Sequence, residues 1–263
     1  MNLNDLSTQL LFTTVPIWTE APDGSGSSAT AFIYTVPIPN KTEHSVPVLV
    51  TNHHVVAKAK RGLVEFVERA GDKPNREKRV RVEVSREALL GNSSPELDIA
   101  LIPLGAMLTQ LQDAGRPAFF RSVTPEIMPT AEMVAGLAAM EEIVFIGYPS
   151  GLRDEANASP LIRRGITSTP VWNDFQGRPS FLIDAGVFPG SSGSPVFILN
   201  QGAYATKEGL VVGNRLLFLG MIRQSMVRSD LGRETYLGLG EVLRSSAIAD
   251  FIRRTIETVI SAP

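Results

Sequence analysis

Residues 188–197 read FPGSSGSPVF, with two glycines, three serines and two prolines between apolar runs. Such a cluster is first of all a loop. A serine in it becomes a nucleophile only if a base and an orienting carboxylate lie elsewhere in the chain. The chain has three histidines, His44, His53 and His54, so any imidazole base is one of these. His53 and His54 follow the β-branched run in VLVTNHHVVAK, and His44 lies in the polar stretch PNKTEHSVP, read as a loop without a chemical role. A carboxylate opens the apolar run of ELDIALIPL at Asp98. A carboxylate beside buried strand residues is costly unless paired or hydrogen-bonded, and an imidazolium is a partner it can stabilise. Within the loop, Ser192 stands between Ser191 and Gly193. Small neighbours let an acyl carbon approach. Glycines let the backbone turn N–H groups toward a developing oxyanion, and the N–H groups of Gly190 and Ser192 are the pair chosen for that role. The order His54, Asp98, Ser192 differs from the Ser-Asp-His order and G-x-S-x-G elbow of α/β-hydrolases.

The elements that must position these residues read as short strands. Apolar, β-branched runs such as ATAFIYTV (29–36), VPVLVTN (46–52), KRVRVEVS (78–85), EIVFIGY (142–148), SFLIDAGV (180–187) and LLFLGMIR (216–223) alternate with Gly, Pro, Asn and Asp. Many short strands at this spacing predict an all-β sandwich or barrel. The region from about 105 to 140, with three prolines, splits the strands into two groups. AMLTQLQDAG (106–115) is one short helix candidate. The tail SSAIADFIRRTIETVISA places Ile248, Phe251, Ile252, Ile256, Val259 and Ile260 on one helical face. It is read as a C-terminal helix docking on the β body, with Ser245 or Ser246 at its start.

Composition narrows the class. Of 263 residues, 43% are hydrophobic and 20% charged, with a formal net charge of −2. This is an ordinary globular balance, with scattered Lys and Arg and no basic patch for nucleic acid. There is no cysteine, which excludes disulfides, thiolate metal sites and a cysteine nucleophile. No run approaches the ~18 apolar residues of a membrane span. The first residues carry Asp5 and no basic leader, so a cytoplasmic protein without a secretory signal is expected. No cofactor is expected.

The motifs together resemble those of the trypsin-like (chymotrypsin-fold) serine peptidases, and among them the bacterial high-temperature-requirement (HtrA/Deg) type. VTNHHVV resembles V-T-N-x-H-V-V, which places the base at His54 and leaves His53 as a packing or solvent-facing neighbour. LDIALIPL resembles the segment that carries the acid, here Asp98. DAGVFPGSSGSPVF resembles D-A-x-x-x-P-G-N-S-G-G/S-P, with Ser192 as nucleophile. GSGSSATAFIY, IGYPSGL with RRGITS, FLGMIRQS and YLGLGEVL add weaker similarities, so that the likeness covers most of residues 20–255.

The resemblance implies two antiparallel six-stranded β-barrels with a cleft between them and a C-terminal helix. The expected divisions are 1–115 for the barrel carrying His54 and Asp98, 116–245 for the barrel carrying Ser192, and 246–263 for the helix. It implies a serine endopeptidase acting on proteins or peptides, with no nucleic-acid or membrane partner. Gly186 would lie at the floor of the P1 pocket, and part of 220–225, including Gly220, Met221, Ile222 and Arg223, would line its wall. With no carboxylate at Gly186 the expected P1 residue is small or medium and apolar, though Arg223 and Gln224 could change that. Two departures from the family pattern stand out. Ser191 replaces the Asp that pairs with a newly cut N-terminus in secreted zymogens, and Ser194 replaces a frequent Gly. Activation by N-terminal cleavage is therefore not expected. With the chain ending soon after the tail helix, no PDZ module is expected. Control by a protein partner, by oligomerisation or by loop ordering is expected of an endopeptidase in the cytoplasm. The competing reading is a catalytically silent scaffold with the same fold.

Overall fold

The computed structural model describes the backbone at residues 1–38, 41–206, 209–230 and 233–261, and side chains at 1–37, 45–206, 209–229 and 234–258. It divides into two compact units. The first comprises Met1–Pro125, Ile146–Leu161 and Gly190–Ser194; the second comprises Glu126–Phe145, Ile162–Pro189 and the chain from Pro195 onward.

The first unit contains α1 (Leu6–Leu10), β1 (Thr14–Glu20), β2 (Gly26–Ile38), β3 (Lys41–Thr51), α2 (His53–Val56), β4 (Arg61–Ala70), β5 (Lys73–Ser85), α3 (Arg86–Leu90), β6 (Ser93–Ser94), β7 (Ile99–Pro103), α4 (Gly105–Asp113) and β8 (Ala118–Phe119). Its strands hydrogen-bond in the order β5-β4-β1-β2-β3-β7-β6, with β8 added on β4. Six of them are longer than two residues, the number expected for this half; β6 and β8 are two-residue additions. β5 shows why the sequence folds this way. Val80, Val82 and Val84 are buried, while Arg81 and Glu83 between them face solvent, which is the period of a pleated strand with one wet face. The core gathers Ile17, Ile33, Leu49, Val64, Phe66 and Ile102, all 1% exposed or less.

The second unit contains α5 (Ala131–Gly136), most of β9 (Glu142–Gly147), all but the first residue of β10 (Leu161–Thr167), β11 (Ser180–Asp184), β12 (Pro195–Asn200), β13 (Ala203–Thr206), β14 (Gly209–Val212), β15 (Arg215–Asp230), β16 (Arg233–Arg244) and α6 (Ser245–Ser261). Six strands close a barrel in the order β10-β11-β16-β15-β12-β9. Phe145, Phe181, Ile183, Val196, Leu219 and Val242 fill it. Among the described residues β13 and β14 pair only with each other, and every residue of β14 is exposed. The expected tail helix is α6. It buries Ile248 and Ile252 and contacts β15 and β16; the side chains of Val259 and Ile260 lie outside those described.

Three short helices, α1, α3 and α5, carry no apolar periodicity long enough to read from sequence. Each begins at a side-chain cap instead. Asp5 accepts from the Thr8 N–H at 2.8 Å, Ser85 from the Ala88 N–H at 3.3 Å and Thr130 from the Met133 N–H at 3.2 Å. The stretch around His44 is strand rather than loop, because β3 begins at Lys41 and pairs back on β2; the His44 side chain lies outside those described. Among the described residues no helix is long and apolar enough to cross a membrane, and no His/Cys/Asp/Glu group has the arrangement of a metal site.

Candidate active site

The first unit brings His54, Asp98 and Ser192 together. β3 ends at Thr51, Asn52 starts the single turn of α2, and His54 is the second residue of that turn. Asp98 lies between β6 and β7 with a left-handed φ of 56°, a conformation that Asp tolerates better than most residues. The Asn52 side-chain amide donates to the Asp98 carbonyl at 2.9 Å. The Asp98 carboxylate meets His54 twice. Its Oδ1 accepts from the His54 backbone N–H at 2.9 Å, and its Oδ2 lies 2.9 Å from Nδ1 of the ring. The carboxylate therefore fixes both the turn and the imidazole. In the tautomer whose Nδ1–H donates to Asp98, the Nε2 lone pair faces the Ser192 Oγ, 3.2 Å away. The imidazole is open to solvent, its side chain 49% exposed, while the carboxylate is largely covered at 14%.

The loop at 190–194 is held by three successive carbonyls. Gly190 O accepts from Thr30 Oγ1 at 3.0 Å, Ser191 O from the Ser194 N–H at 3.0 Å, and Ser192 O from the Thr30 N–H at 3.0 Å. In a trans peptide the N–H points opposite to the C=O. Pinning the Ser191 carbonyl toward Ser194 thus turns the Ser192 N–H the other way. The loop takes left-handed turns at Gly190 (φ 87°) and Gly193 (φ 88°), which glycine adopts without strain. A Cβ on Gly193 would run into the Thr30 carbonyl, so two constraints require glycine there.

The remaining candidates named from the sequence take different places. His53 is half-buried, and its Nδ1 has no hydrogen-bond partner among the described residues. In the second unit, Gly186 is half-buried, with the Arg163 guanidinium occupying the space a side chain would fill. Gly220, Met221 and Ile222 are buried, the last within the barrel core. Arg223 donates to Glu241 at 3.1 Å, and Gln224 donates to the same carboxylate at 3.0 Å. Glu241 is fully buried and also accepts from Ser180 Oγ at 2.8 Å.

Sequence reading misses the groups that hold the site rather than those that react. Thr30 and Thr51 are both fully buried. Thr51 Oγ1 donates to the Thr30 carbonyl at 2.8 Å, and the Tyr148 N–H donates to Thr30 Oγ1 at 3.0 Å. Tyr148 is itself buried, which pushes its phenol well above the usual range, and its hydroxyl donates to the Thr14 carbonyl at 3.3 Å. The signal lies in GSGSSATAFIY, but nothing there distinguishes Thr30 from a strand residue chosen for β-propensity.

A family model described as the trypsin-like peptidase domain matches residues 30–204. No curated protein matches the sequence. Among solved structures, the HtrA-type protease AlgW with tripeptide aligns at 17% identity and a TM-score of 0.54, over 98% of this chain and 64% of that one. The serine endoprotease from Yersinia pestis aligns at 15% identity and 0.53, over 98% and 67%. Deg5 aligns at 14% identity and 0.53, over 92% and 88%. The chain thus spans just under two thirds of AlgW's length, and at these identities the likeness is one of fold. The family match covers most of the chain and runs through His54, Asp98 and Ser192, so the chain belongs to the trypsin-like peptidase domain family of serine peptidases.

Proposed function

We propose that this chain is a serine endopeptidase that cleaves peptide bonds through an acyl-enzyme formed on Ser192. One observation carries the reading: the His54 ring spans Asp98 and Ser192, with 2.9 Å at Nδ1 and 3.2 Å at Nε2. Ser192 Oγ attacks the scissile carbonyl as His54 takes its proton, and His54 then gives that proton to the leaving amine. Asp98 holds the tautomer and stabilises the imidazolium without becoming protonated. The N–H groups of Gly190 and Ser192 receive the developing oxyanion. A protein or peptide substrate is in keeping with AlgW, a structure of which holds a tripeptide.

Gly186, Gly220, Met221, Ile222 and Arg223 are proposed to shape the substrate pocket. Gly186 offers no carboxylate to a Lys or Arg side chain, which favours a small or medium apolar P1 residue. The Arg223 charge is already committed to Glu241, which removes one objection to that preference. Control by a partner or by loop ordering, in a cytoplasmic setting, completes the proposal. Rapid cleavage of unfolded casein by the purified chain alone would refute that control.

The test of the whole reading is a fluorophosphonate probe with mass spectrometry. Labelling at Ser192, lost in Ser192→Ala, is the expected result. Absence of labelling under all conditions, with and without candidate partners, leaves a silent scaffold of the same fold. A cleavage profile on a peptide library, wild type against Ser192→Ala, then reads the P1 preference.

A further inference from the structure

Five small residues, Gly190–Ser194, carry the nucleophile and both oxyanion donors. None has a charged side chain, and Ser191 offers no carboxylate to anchor the loop. Left to itself, such a segment loses much backbone freedom on being ordered, most of all at its two glycines. An oxyanion hole, by contrast, works only when its donors are fixed before the reaction.

The polar groups of Thr30 supply that fixation from a single buried residue of β2. Its backbone N–H donates to Ser192 O at 3.0 Å. Its hydroxyl donates to Gly190 O at 3.0 Å. The same oxygen accepts from the Tyr148 N–H at 3.0 Å and from Ser194 Oγ at 3.3 Å. A threonine hydroxyl has one proton and two lone pairs, so its capacity is filled. The Thr30 carbonyl in turn accepts from Thr51 Oγ1 at 2.8 Å. Thr51 closes β3 three residues before His54. One residue therefore links the carbonyls on either side of Ser191, the Tyr148 turn and the strand that delivers the base. The close fit is visible in the glycines around it. A Cβ on Gly193 would strike the Thr30 carbonyl, and one on Gly147 would strike Thr30 Oγ1.

We infer that Thr30 is the positioning residue of the oxyanion loop, and that its hydroxyl takes the place of an activating ion pair. The inference rests on the peptidase reading of Ser192. It assigns Thr30 no contact with substrate. The hydroxyl pins the Gly190–Ser191 peptide and the N–H pins the Ser192–Gly193 peptide, which leaves the intervening Ser192 N–H one direction. Loss of the hydroxyl frees the Gly190 carbonyl to rotate and removes the acceptor of a buried Tyr148 N–H.

The experiment measures fluorophosphonate labelling of Ser192 in the full chain, resolved into the rate of bond formation and the affinity of the initial complex. Circular dichroism reports the fold of each variant at the labelling temperature. Thr30→Val keeps shape and loses the hydroxyl, and Thr30→Ser keeps the hydroxyl. Thr13→Val is the control, since it removes a buried hydroxyl bonded to Leu10 O at 2.7 Å and away from the loop. Folded Thr30→Val is expected to form the bond about 10- to 100-fold more slowly, below the loss from deleting an oxyanion donor outright, with initial affinity unchanged. Thr30→Ser is expected to restore the rate to within about threefold and Thr13→Val to leave it unchanged, because neither alters the loop's hydroxyl anchor. Should Thr30→Val not fold, Thr30→Ala, with room for a water, carries the same comparison. Wild-type labelling speed in a folded hydroxyl-less variant, or a Thr30→Ser as slow as Thr30→Val, overturns the inference. A wild-type chain that never labels at Ser192 overturns the peptidase reading instead, and the inference falls with it.

Discussion

Ser192 sits within hydrogen-bond reach of the only described imidazole that also touches a carboxylate. Each member of the trio then has an expected defect. Ser192→Ala and His54→Ala remove the proposed nucleophile and base, and each is expected to lower kcat by about 10⁴-fold or more, with substrate affinity largely kept. Asp98→Asn is expected to cost about 10⁴-fold as well, because an amide at that place favours the wrong imidazole tautomer. It also exchanges one acceptor of the His54 backbone N–H for a group that can donate. Steady-state kinetics on any peptide found by library profiling checks all three. A loss from Asp98→Asn much below 100-fold would mean that the turn at Asn52–His54, and not the carboxylate, orients the ring.

At the scale of elements, two features govern stability rather than chemistry. The segment after β9 runs back over the first unit and is fastened by Arg153, 7% exposed, whose guanidinium meets the buried Glu65 at 2.6 Å and lies over the Trp18 ring at 5.5 Å. Burial alone would lower the Arg153 pKa; hydrogen bonds and charge from Glu155 and Glu65 hold it above its ordinary value. Arg81 pairs with the other Glu65 oxygen at 2.8 Å. Glu65→Ala leaves the covered Arg153 with the exposed Glu155 as its remaining carboxylate partner, and a loss of about 1–3 kcal/mol is expected. Replacing Glu65 and Arg153 together by apolar residues of like volume is expected to cost far less than that, since no buried charge is stranded. Chemical denaturation of the variants reads the difference. In the second unit, Ile248 and Ile252 fasten α6 to the barrel. Ile248→Ala is expected to destabilise by about 2–5 kcal/mol, the usual cost of emptying a filled core position.

Across the whole molecule, what is legible in the sequence follows from range. Strands with strict alternation, such as 80–84, and the long amphipathic tail announce themselves locally, and both form as expected. The three residues of the proposed triad are readable because their neighbours form recognisable strings. Thr30 is not, since its role depends on loops distant in sequence, and no local pattern encodes a partner some 160 positions away. The capped helices α1, α3 and α5 escape for the opposite reason, being too short for a period to show. One feature lies apart from both cores. Among the described residues the β13–β14 ribbon pairs with no other strand, and Leu210 and Val212 on it stand 73% and 83% open. Such a ribbon is a natural port for foreign sequence. An epitope or fluorophore peptide spliced between its strands is expected to leave the melting temperature and peptide turnover of the host within error, which would give the molecule a handle far in sequence from either terminus.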